Sequence, residues 1–549
     1  MKRHLIHKIA AACCWLAILA LAIACQSVPT APLPSQGAPA GPAPVATTPI
    51  TAAPAQDQAS APSPELILAA PRDLAPGQKD PYYCAATLKV WESLVTVDED
   101  WMPAPGLAEA WEQSEDGLAW TFHLRRDVVF SDGSPLNADA VLANVERNRK
   151  ISPRPSPFYS FNADTAYGDL KMVEKVDEYA VRFVHNTPQP AFPAMIATYF
   201  SAIFAPSSFD ENGDFIEFPI ASGPFRVVEH VPDQYVVLEP NPLYRGEAAR
   251  AQRIRIRTIP DPNTRASALR AGEIHGVLDL GAIQPAMARE LVATGEFQES
   301  SAPIAITHYV FVNGTKAPWD DPRLHHAVSL ALDREFIVNE IFLGYGVPAG
   351  SMLNMVARYW HDASITLPYD PEQAVALARA VLGDKRLPAL ILIPSYQINR
   401  YPYKALGEYV QAQIRPLGID AEIRILEGPA FSEATAQGQY DLALRIQGLW
   451  SSDPASLFDN YLGCDRGQNK TMSLGVCDEE VEQILQELRT ASDLEQRKTY
   501  IDRLQAIAAR ELPVIPLFYE KGVIVFHKSV EGYELSTNGG VSLERAALR

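Results

Sequence analysis

The side chains with the most obvious chemical reach are His325 and His326, in the run Asp321-Pro322-Arg323-Leu324-His325-His326. Two such imidazoles could bind a metal or act as general base if a carboxylate or third ligand stood beside them, and Asp320, Asp321 and Asp333 are the local suppliers. The same run reads as the opening of a helix continuing through Leu332, with both histidines partly exposed on its surface, and that is the reading adopted. Asp132-Gly133 likewise reads as a turn between a strand at Phe130 and a helix capped by Asn137, rather than as a reactive carboxylate. No GxSxG elbow, GxxxxGK[ST] loop, GxGxxG turn or SxxK motif occurs, and no CxxC, HxxxH or HExxH spacing that would suggest zinc. Catalytic constellations are thus missing from the sequence.

The elements that would position a binding site are mixed strands and helices. Trp120, Phe122 and Leu124 alternate with Thr121 and His123; Tyr179, Val181 and Phe183 repeat the pattern, and Ile254 and Ile256 alternate with Arg253, Arg255 and Arg257. Each predicts a half-buried strand. Val481, Ile484, Leu485 and Leu488 share one helical face, with Glu480, Glu482 and Glu487 outside it. Asp370-Pro371-Glu372-Gln373 and Asp493-Leu494-Glu495-Gln496 mark helix starts. Leu390–Ile393, a helical pattern from Tyr403 to Arg415, and Asp420–Leu426 form a strand-helix-strand unit, which requires a crossover in a mainly parallel sheet. The class is α/β, with several sheets and no internal repeat.

The amino terminus supplies an address. Lys2, Arg3 and Lys8 precede an apolar run from Ile9 to Ala24, which is shorter than the roughly 20 residues a membrane span needs. That is the build of a signal peptide. Leu21-Ala22-Ile23-Ala24-Cys25 resembles the lipobox of bacterial lipoproteins, which implies cleavage before Cys25 and a diacylglyceride on its thiol; the alternative is an ordinary signal peptide ending by chance at a cysteine. Cys13 and Cys14 would leave with the leader. Residues 26–64 hold ten prolines and one charged side chain, Asp57. Such a segment cannot bury enough apolar surface to offset its ordering entropy, so it is expected to be an extended spacer reaching on the order of 100 Å.

The chain has 549 residues, and Glu65–Arg549 is long enough for two or more domains. Its formal net charge of -19 becomes -22 once Lys2, Arg3 and Lys8 are removed. So acidic a body makes nucleic acid a poor partner, because that binding depends on neutralising phosphates. Cys84, Cys464 and Cys477 remain in the mature chain. Outside the cell, Cys464 and Cys477 can close a short loop, leaving Cys84 as a small buried apolar residue; three free thiols is the other option.

A series of blocks is similar to the bacterial extracellular solute-binding proteins of family 5, which serve dipeptide, oligopeptide and nickel ABC importers. The most specific is LAEAWEQSEDGLAWTFHLRRDVVFSDGSPL, which follows Gly106 and ends at Leu136. SGPFRVVEHVPDQYVVLEPNPLYRGE (Ser222 to Glu247), IPDPNTRASALRAGEI (Ile259 to Ile274), PWDDPRLHHAVSLALDREFIV (Pro318 to Val338), YDPEQAVALARAVLG (Tyr369 to Gly383), GQYDLALRIQGLWSSDPASLF (Gly438 to Phe458) and ELPVIPLFY (Glu511 to Tyr519) stand in the family's order. The resemblance implies a two-lobed periplasmic-binding-protein type II-like fold with an extra inserted domain. Lobe I would comprise residues 65–90, 206–305 and 518–549, the insert 91–205, and lobe II 306–517, after a leader at 1–24 and a lipid-anchored linker at 25–64. It further implies a monomeric receptor, without cofactor or catalytic activity, that closes on a small-molecule or peptide ligand and delivers it to membrane permease subunits.

Peptide binders of the family pair the ligand's α-amine with an aspartate in a Trp-x-Ala-Asp stretch. Here the block reads Gly448-Leu449-Trp450-Ser451-Ser452-Asp453-Pro454. Aligning Asp453-Pro454 with the family's Asp-Pro puts Trp450 at the amine position, although Asp453 could move into that role. The nickel-chelate branch also lacks the aspartate, and IPDPNTR resembles that branch. Candidate ligand contacts are Trp450, Ser451, Ser452, Asp453, Tyr82, Tyr83 and Arg154, the last as a charge-assisted partner for an anionic chelate. Core packing for the aromatics, and a solvated surface for Arg154, are the plainer readings. A lipid-anchored receptor or chaperone outside transport, and a secreted hydrolase, are the other functional classes.

Overall fold

The computed structural model describes residues 65–80, 85–152, 154, 163–197, 201–449, 451–537 and 540–549. The chain divides into two compact units, Met1–Ser60 and Ala61–Arg549, and every described residue belongs to the second. Cys25, Tyr82, Tyr83, Cys84 and Trp450 lie outside the described residues.

Leu66–Ala70 (β1) is an apolar strand, after which the chain leaves for a four-stranded antiparallel sheet. That sheet is built from Ala108–Gln113 (β2), Ala119–Leu124 (β3), Leu170–Asp177 (β4) and Ala180–His185 (β5), in the order β2-β3-β5-β4. Trp120, Phe122 and Leu124 are buried and His123 is exposed, as the alternation requires. Thr121 departs from it: it is also buried, and its Oγ1 accepts from Arg182 Nε of β5 at 3.2 Å. Ala138–Ile151 (α1) packs on this sheet, and its cap Asn137 accepts from the Ala140 amide at 3.0 Å.

The chain returns to β1 through Phe225–Val231 (β6), Tyr235–Pro240 (β7) and Ile254–Thr258 (β8), the last parallel to β1. Pro262–Arg270 (α2) follows β8, Gly276–Val277 (β9) joins β1's other edge in parallel, and Pro285–Ala293 (α3) follows β9. Phe297–Val312 (β10) then carries the chain into a second half. This half contains Pro322–Ala331 (α4), Gly346–Pro348 (β11), Pro371–Leu382 (α5), Leu387–Pro394 (β12) and Tyr403–Ile414 (α6). It continues with Ile419–Leu426 (β13), Leu442–Gly448 (β14), Ala455–Leu462 (α7), Glu479–Leu488 (α8), Leu494–Glu511 (α9) and Val514–His527 (β15).

One sheet joins both halves, in the order β6-β7-β8-β1-β9-β15-β10-β14-β12-β13, with β11 paired on β15. β12, α6 and β13 form the expected strand-helix-strand unit, parallel over Leu387–Pro394 and Ile419–Leu426. Ile391, Ile393, Leu442 and Leu444 face one apolar cluster, and Leu392 and Ala443 face another, so these strands are buried on both sides. Asp370 and Asp493 cap α5 and α9 by accepting from the Gln373 and Gln496 amides at 2.9 and 2.8 Å.

Among the described residues, β10 and β15 are the strands that run through both halves of the sheet. Phe297–Pro303 pairs with Lys521–His527, and Thr307–Phe311 pairs with Val514–Tyr519. Between these stretches, Ile304, Ala305 and Ile306 oppose the single residue Glu520, a bulge that breaks the ladder. The freed carbonyls are satisfied by Asn354, whose Nδ2 donates to Ile306 O at 3.0 Å, to Ile304 O at 3.3 Å and to Thr307 Oγ1 at 2.9 Å.

The histidine pair differs from expectation. His325 is buried, not partly exposed: its Nε2 faces Trp319 O at 2.6 Å and its Nδ1 faces Glu511 O at 3.0 Å. α9 lays its carboxyl end against α4, and that contact, between residues far apart in sequence, buries the ring. His326 stays half-buried, against Arg510 O. Among the described residues no group of three or more His, Cys, Asp and Glu could hold a metal, and no helix is long and apolar enough to cross a membrane.

Candidate functional site

In open α/β sheets ligands bind outside the carboxyl ends of the strands, because backbone N–H groups, helix amino termini and variable loops converge there. Each half of this sheet has its own parallel strands, β1, β8 and β9 in the first and β12, β13 and β14 in the second. The loops leaving β9 and β12 touch. Arg400 Nη2 donates to Leu280 O at 2.8 Å, and Gln284 Nε2 donates to Ile398 O at 3.2 Å. The carboxyl ends of the two halves therefore meet, next to the bulge shared by β10 and β15.

Charge is concentrated at that meeting point. Asp279, with φ of +87° and a buried side chain, takes a forked pair of bonds from Arg72: Nε to Oδ2 at 2.7 Å and Nη2 to Oδ1 at 3.3 Å. Arg400 Nη2 stands 3.8 Å from the same carboxylate. Burial pushes the Asp279 carboxyl up, but the charge and hydrogen bonds of Arg72, with the charge of Arg400, outweigh it and hold the group below the usual carboxylate range. A non-glycine residue at positive φ is costly, and Asp is among the few that tolerate it. Behind the loop, buried Arg265 donates to Ala282 O at 2.7 Å and to Pro260 O at 2.8 Å, tying the exits of β8 and β9 together.

Beneath this cluster lies a polar network at the bulge. Glu520 accepts from the Tyr401 hydroxyl at 3.1 Å and lies 3.1 Å from His308 Nε2, while His308 Nδ1 lies 3.0 Å from the Tyr403 hydroxyl. With the proton assigned to Nε2, His308 donates to Glu520 and accepts from Tyr403, and all four groups are satisfied. The imidazole also stacks on Phe518, with centroids 4.0 Å apart. Burial lowers the His308 pKa from its usual value, and Glu520 only partly opposes this, so the ring is neutral.

Tyr82 and Tyr83 follow β1 in the sequence and Trp450 follows β14, and all three lie outside the described residues. The neighbours of Trp450 are described. Ser451 Oγ donates to Ala194 O at 3.2 Å, which links this loop to the segment following β5. Ser452 is buried, its carbonyl accepts from Trp360 Nε1 at 2.9 Å, and its Oγ has no hydrogen-bond partner among the described residues. Asp453 is committed within its own half: Oδ2 pairs with Arg497 Nη2 at 2.7 Å and Oδ1 accepts from the Ala455 amide at 2.9 Å. Arg154 is half-buried rather than solvated; Nη1 donates to Asp214 at 2.7 Å and to Lys79 O at 3.1 Å, in the loop that leads to Tyr82.

Sequence reasoning missed Arg72, Asp279, Arg400 and Gln397. Gln397 is buried at the exit of β12, and its Oε1 has no partner among the described residues. A buried acceptor left unpaired costs about 1–3 kcal/mol, and Gln397 and Ser452 follow adjacent strands, β12 and β14. The usable signal was the strand Leu390–Ile393 followed by a helix at Tyr403, since the residues between them occupy a carboxyl-end loop. A cavity of about 230 Å³ lined by Trp319, His325 and Cys477 lies elsewhere, where β10 ends and β15 begins, at the far end of the second half from Glu520. The Cys464–Cys477 disulfide closes that far end.

A family model described as bacterial extracellular solute-binding proteins, family 5 Middle, matches residues 102–469, more than half of the chain. Di/tripeptide-binding protein 4 of Pseudomonas aeruginosa (strain UCBPP-PA14) is 30% identical over 454 residues, covering 79% of this chain and 84% of that protein. Glutathione-binding protein GsiB of Salmonella choleraesuis (strain SC-B67) is 25% identical over 492 residues, covering 86% of this chain and 92% of that protein. Among solved structures, NikA from Brucella suis in complex with Fe(III)-EDTA matches with a TM-score of 0.77 at 22% identity, over 89% of this chain and all of that one, a likeness of fold.

Proposed function

The chain belongs to the bacterial extracellular solute-binding proteins of family 5, and from that premise we propose that it captures a peptide or a nickel-chelate-type solute between two lobes and delivers it to the permease of an ABC importer. Its fold is the two-lobed α/β type of that family, and its relatives are solute-binding proteins rather than enzymes. The observation that carries the proposal is the meeting of two sets of strand carboxyl ends beside a bulge in the two strands they share. That arrangement provides opposed ligand-facing loops and one place to bend.

In this reading lobe I comprises residues 65–90, 206–305 and 518–549, lobe II comprises 306–517, and 91–205 is an inserted domain. The bulge at Ile304–Ile306 opposite Glu520 supports a boundary there. Trp450, Tyr82 and Tyr83 line the ligand, Ser452 and Gln397 offer it hydrogen bonds, and Ser451 and Asp453 hold the Trp450 loop in place. Arg154 steadies the Tyr82 loop and presents positive charge to an anionic ligand. The leader targets the chain out of the cytoplasm and Cys25 anchors it through lipid, leaving a monomeric receptor tethered at the membrane near its permease. Ligand contacts on both lobes favour closure only by their difference in affinity between the open and closed forms.

The test is a melting-temperature screen of the Cys25→Ser protein against dipeptides, tripeptides, glutathione, and Ni(II)-histidine and Fe(III)-EDTA chelates. One class should raise the melting temperature in proportion to the logarithm of its concentration, with one-site stoichiometry. No shift with any class would contradict the proposed solutes.

A further inference from the structure

The segment Ile398–Tyr401 lies in the proposed lobe II and touches the proposed lobe I at two places. On one side, Arg400 donates to Leu280 O and faces Asp279, while Ile398 O accepts from Gln284. On the other side, the next residue, Tyr401, donates to Glu520, the single residue opposite the three-residue bulge. The approach is built for closeness. Gly281 has φ of +61°, and a Cβ there would lie 3.0 Å from Arg400 Cβ. Asp279 is buried and already forked to Arg72, so the Arg400 contact is made to a fixed, desolvated charge and not to a mobile surface group.

We propose that Ile398–Tyr401 is a clasp that draws the two halves together before ligand arrives, with Arg400 as its positioning residue. The consequence follows from population arithmetic: a receptor whose binding-competent form is already populated binds with less loss of affinity than one that must be closed by ligand alone. The clasp goes beyond the solute assignment, since it needs no ligand identity, but it rests on the hinge-closing reading. Tyr401 and Glu520 connect it to the bending point, so that motion at the bulge and formation of the Arg400 contact are one event.

The experiment is single-molecule energy transfer on the soluble protein, with Cys25→Ser and Cys84→Ser removing other thiols. Dyes are placed at Glu273→Cys and Asp384→Cys, two exposed positions in different halves. Without ligand, the wild-type background should show a closed population that Arg400→Ala reduces at least fivefold. Gly281→Val, which leaves Arg400 in place but crowds it, should act in the same direction, and Arg400→Lys should recover part of the population. The clasp is overturned if the ligand-free distribution is the same in wild type, Arg400→Ala and Gly281→Val while all three melt cooperatively. It is equally overturned if the wild type is wholly open without ligand. Failure of every peptide and chelate to change the wild-type distribution would count against the receptor reading instead, because the clasp is read in ligand's absence.

Discussion

Arg497 Nη2 meets Asp453 Oδ2 at 2.7 Å with both side chains buried, joining the loop after β14 to α9. The aspartate nearest the Trp450 position is thereby consumed inside its own half. Arg497 is fixed in turn by the carbonyls of Leu488 and Ala491, both at 2.7 Å. The pair fixes the segment that follows β14 against α9.

Breaking the pair from one side leaves an uncompensated buried charge. Arg497→Ala should destabilise the fold by about 3–5 kcal/mol, read by chemical denaturation. Asp453→Asn, which keeps one acceptor for the Ala455 amide, should cost less. If Asp453→Asn abolished solute binding while leaving stability unchanged, Asp453 would be a ligand contact after all.

Acid should destabilise the protein earlier than carboxylates alone would require. Burial lowers the pKa of His185, His308 and His361 from the usual 6.5, and burial with the charge of His527 does the same for His275. Between the folded and unfolded values the unfolded chain holds more protons, so stability rises with pH and is lost as pH falls below about 6.5. Each such group contributes a slope of at most about 1.4 kcal/mol per pH unit. Denaturation curves from pH 7.5 to 5 should show the decline, and His308→Gln should make it shallower; an unchanged slope in that variant would mean that His308 does not titrate on unfolding.

The local features were legible because their causes are local. Asn137, Asp370 and Asp493 cap helices within a few residues of themselves, and the β12-α6-β13 unit is written in periodicity. The site was only partly legible. Glu520 reaches His308 across 212 positions, and Arg72 reaches Asp279 across 207, so nothing in either neighbourhood marks the pairing. His325 was misplaced for the same reason, since the carbonyl that buries it belongs to Glu511, 186 positions away. The block around Trp450 drew notice through resemblance, whereas Gln397 and Arg400 carry no motif.

Cys464 and Cys477 are bonded across a separation of 13 residues, beside the amino terminus of α8. On the chain-entropy model a loop of this size is worth roughly 3 kcal/mol. The double variant Cys464→Ser, Cys477→Ser should lose about that much in urea denaturation. Its solute affinity should change less than twofold, because the bond lies at the far end of the second half from Glu520.

Residues 26–64 are proposed to give reach and nothing else. Deleting about half of them should impair solute uptake by cells while the purified protein binds with unchanged affinity. A tether variant that altered affinity in solution would assign the segment a role in the site.

The most direct test of the central claim is native mass spectrometry of the protein purified from its own host, followed by denaturing release of whatever it carries. The account predicts a single one-to-one adduct whose released mass is that of a peptide or of a metal chelate, lost on unfolding. An unloaded protein that also gains no adduct when mixed with peptides, glutathione or nickel chelates would contradict it.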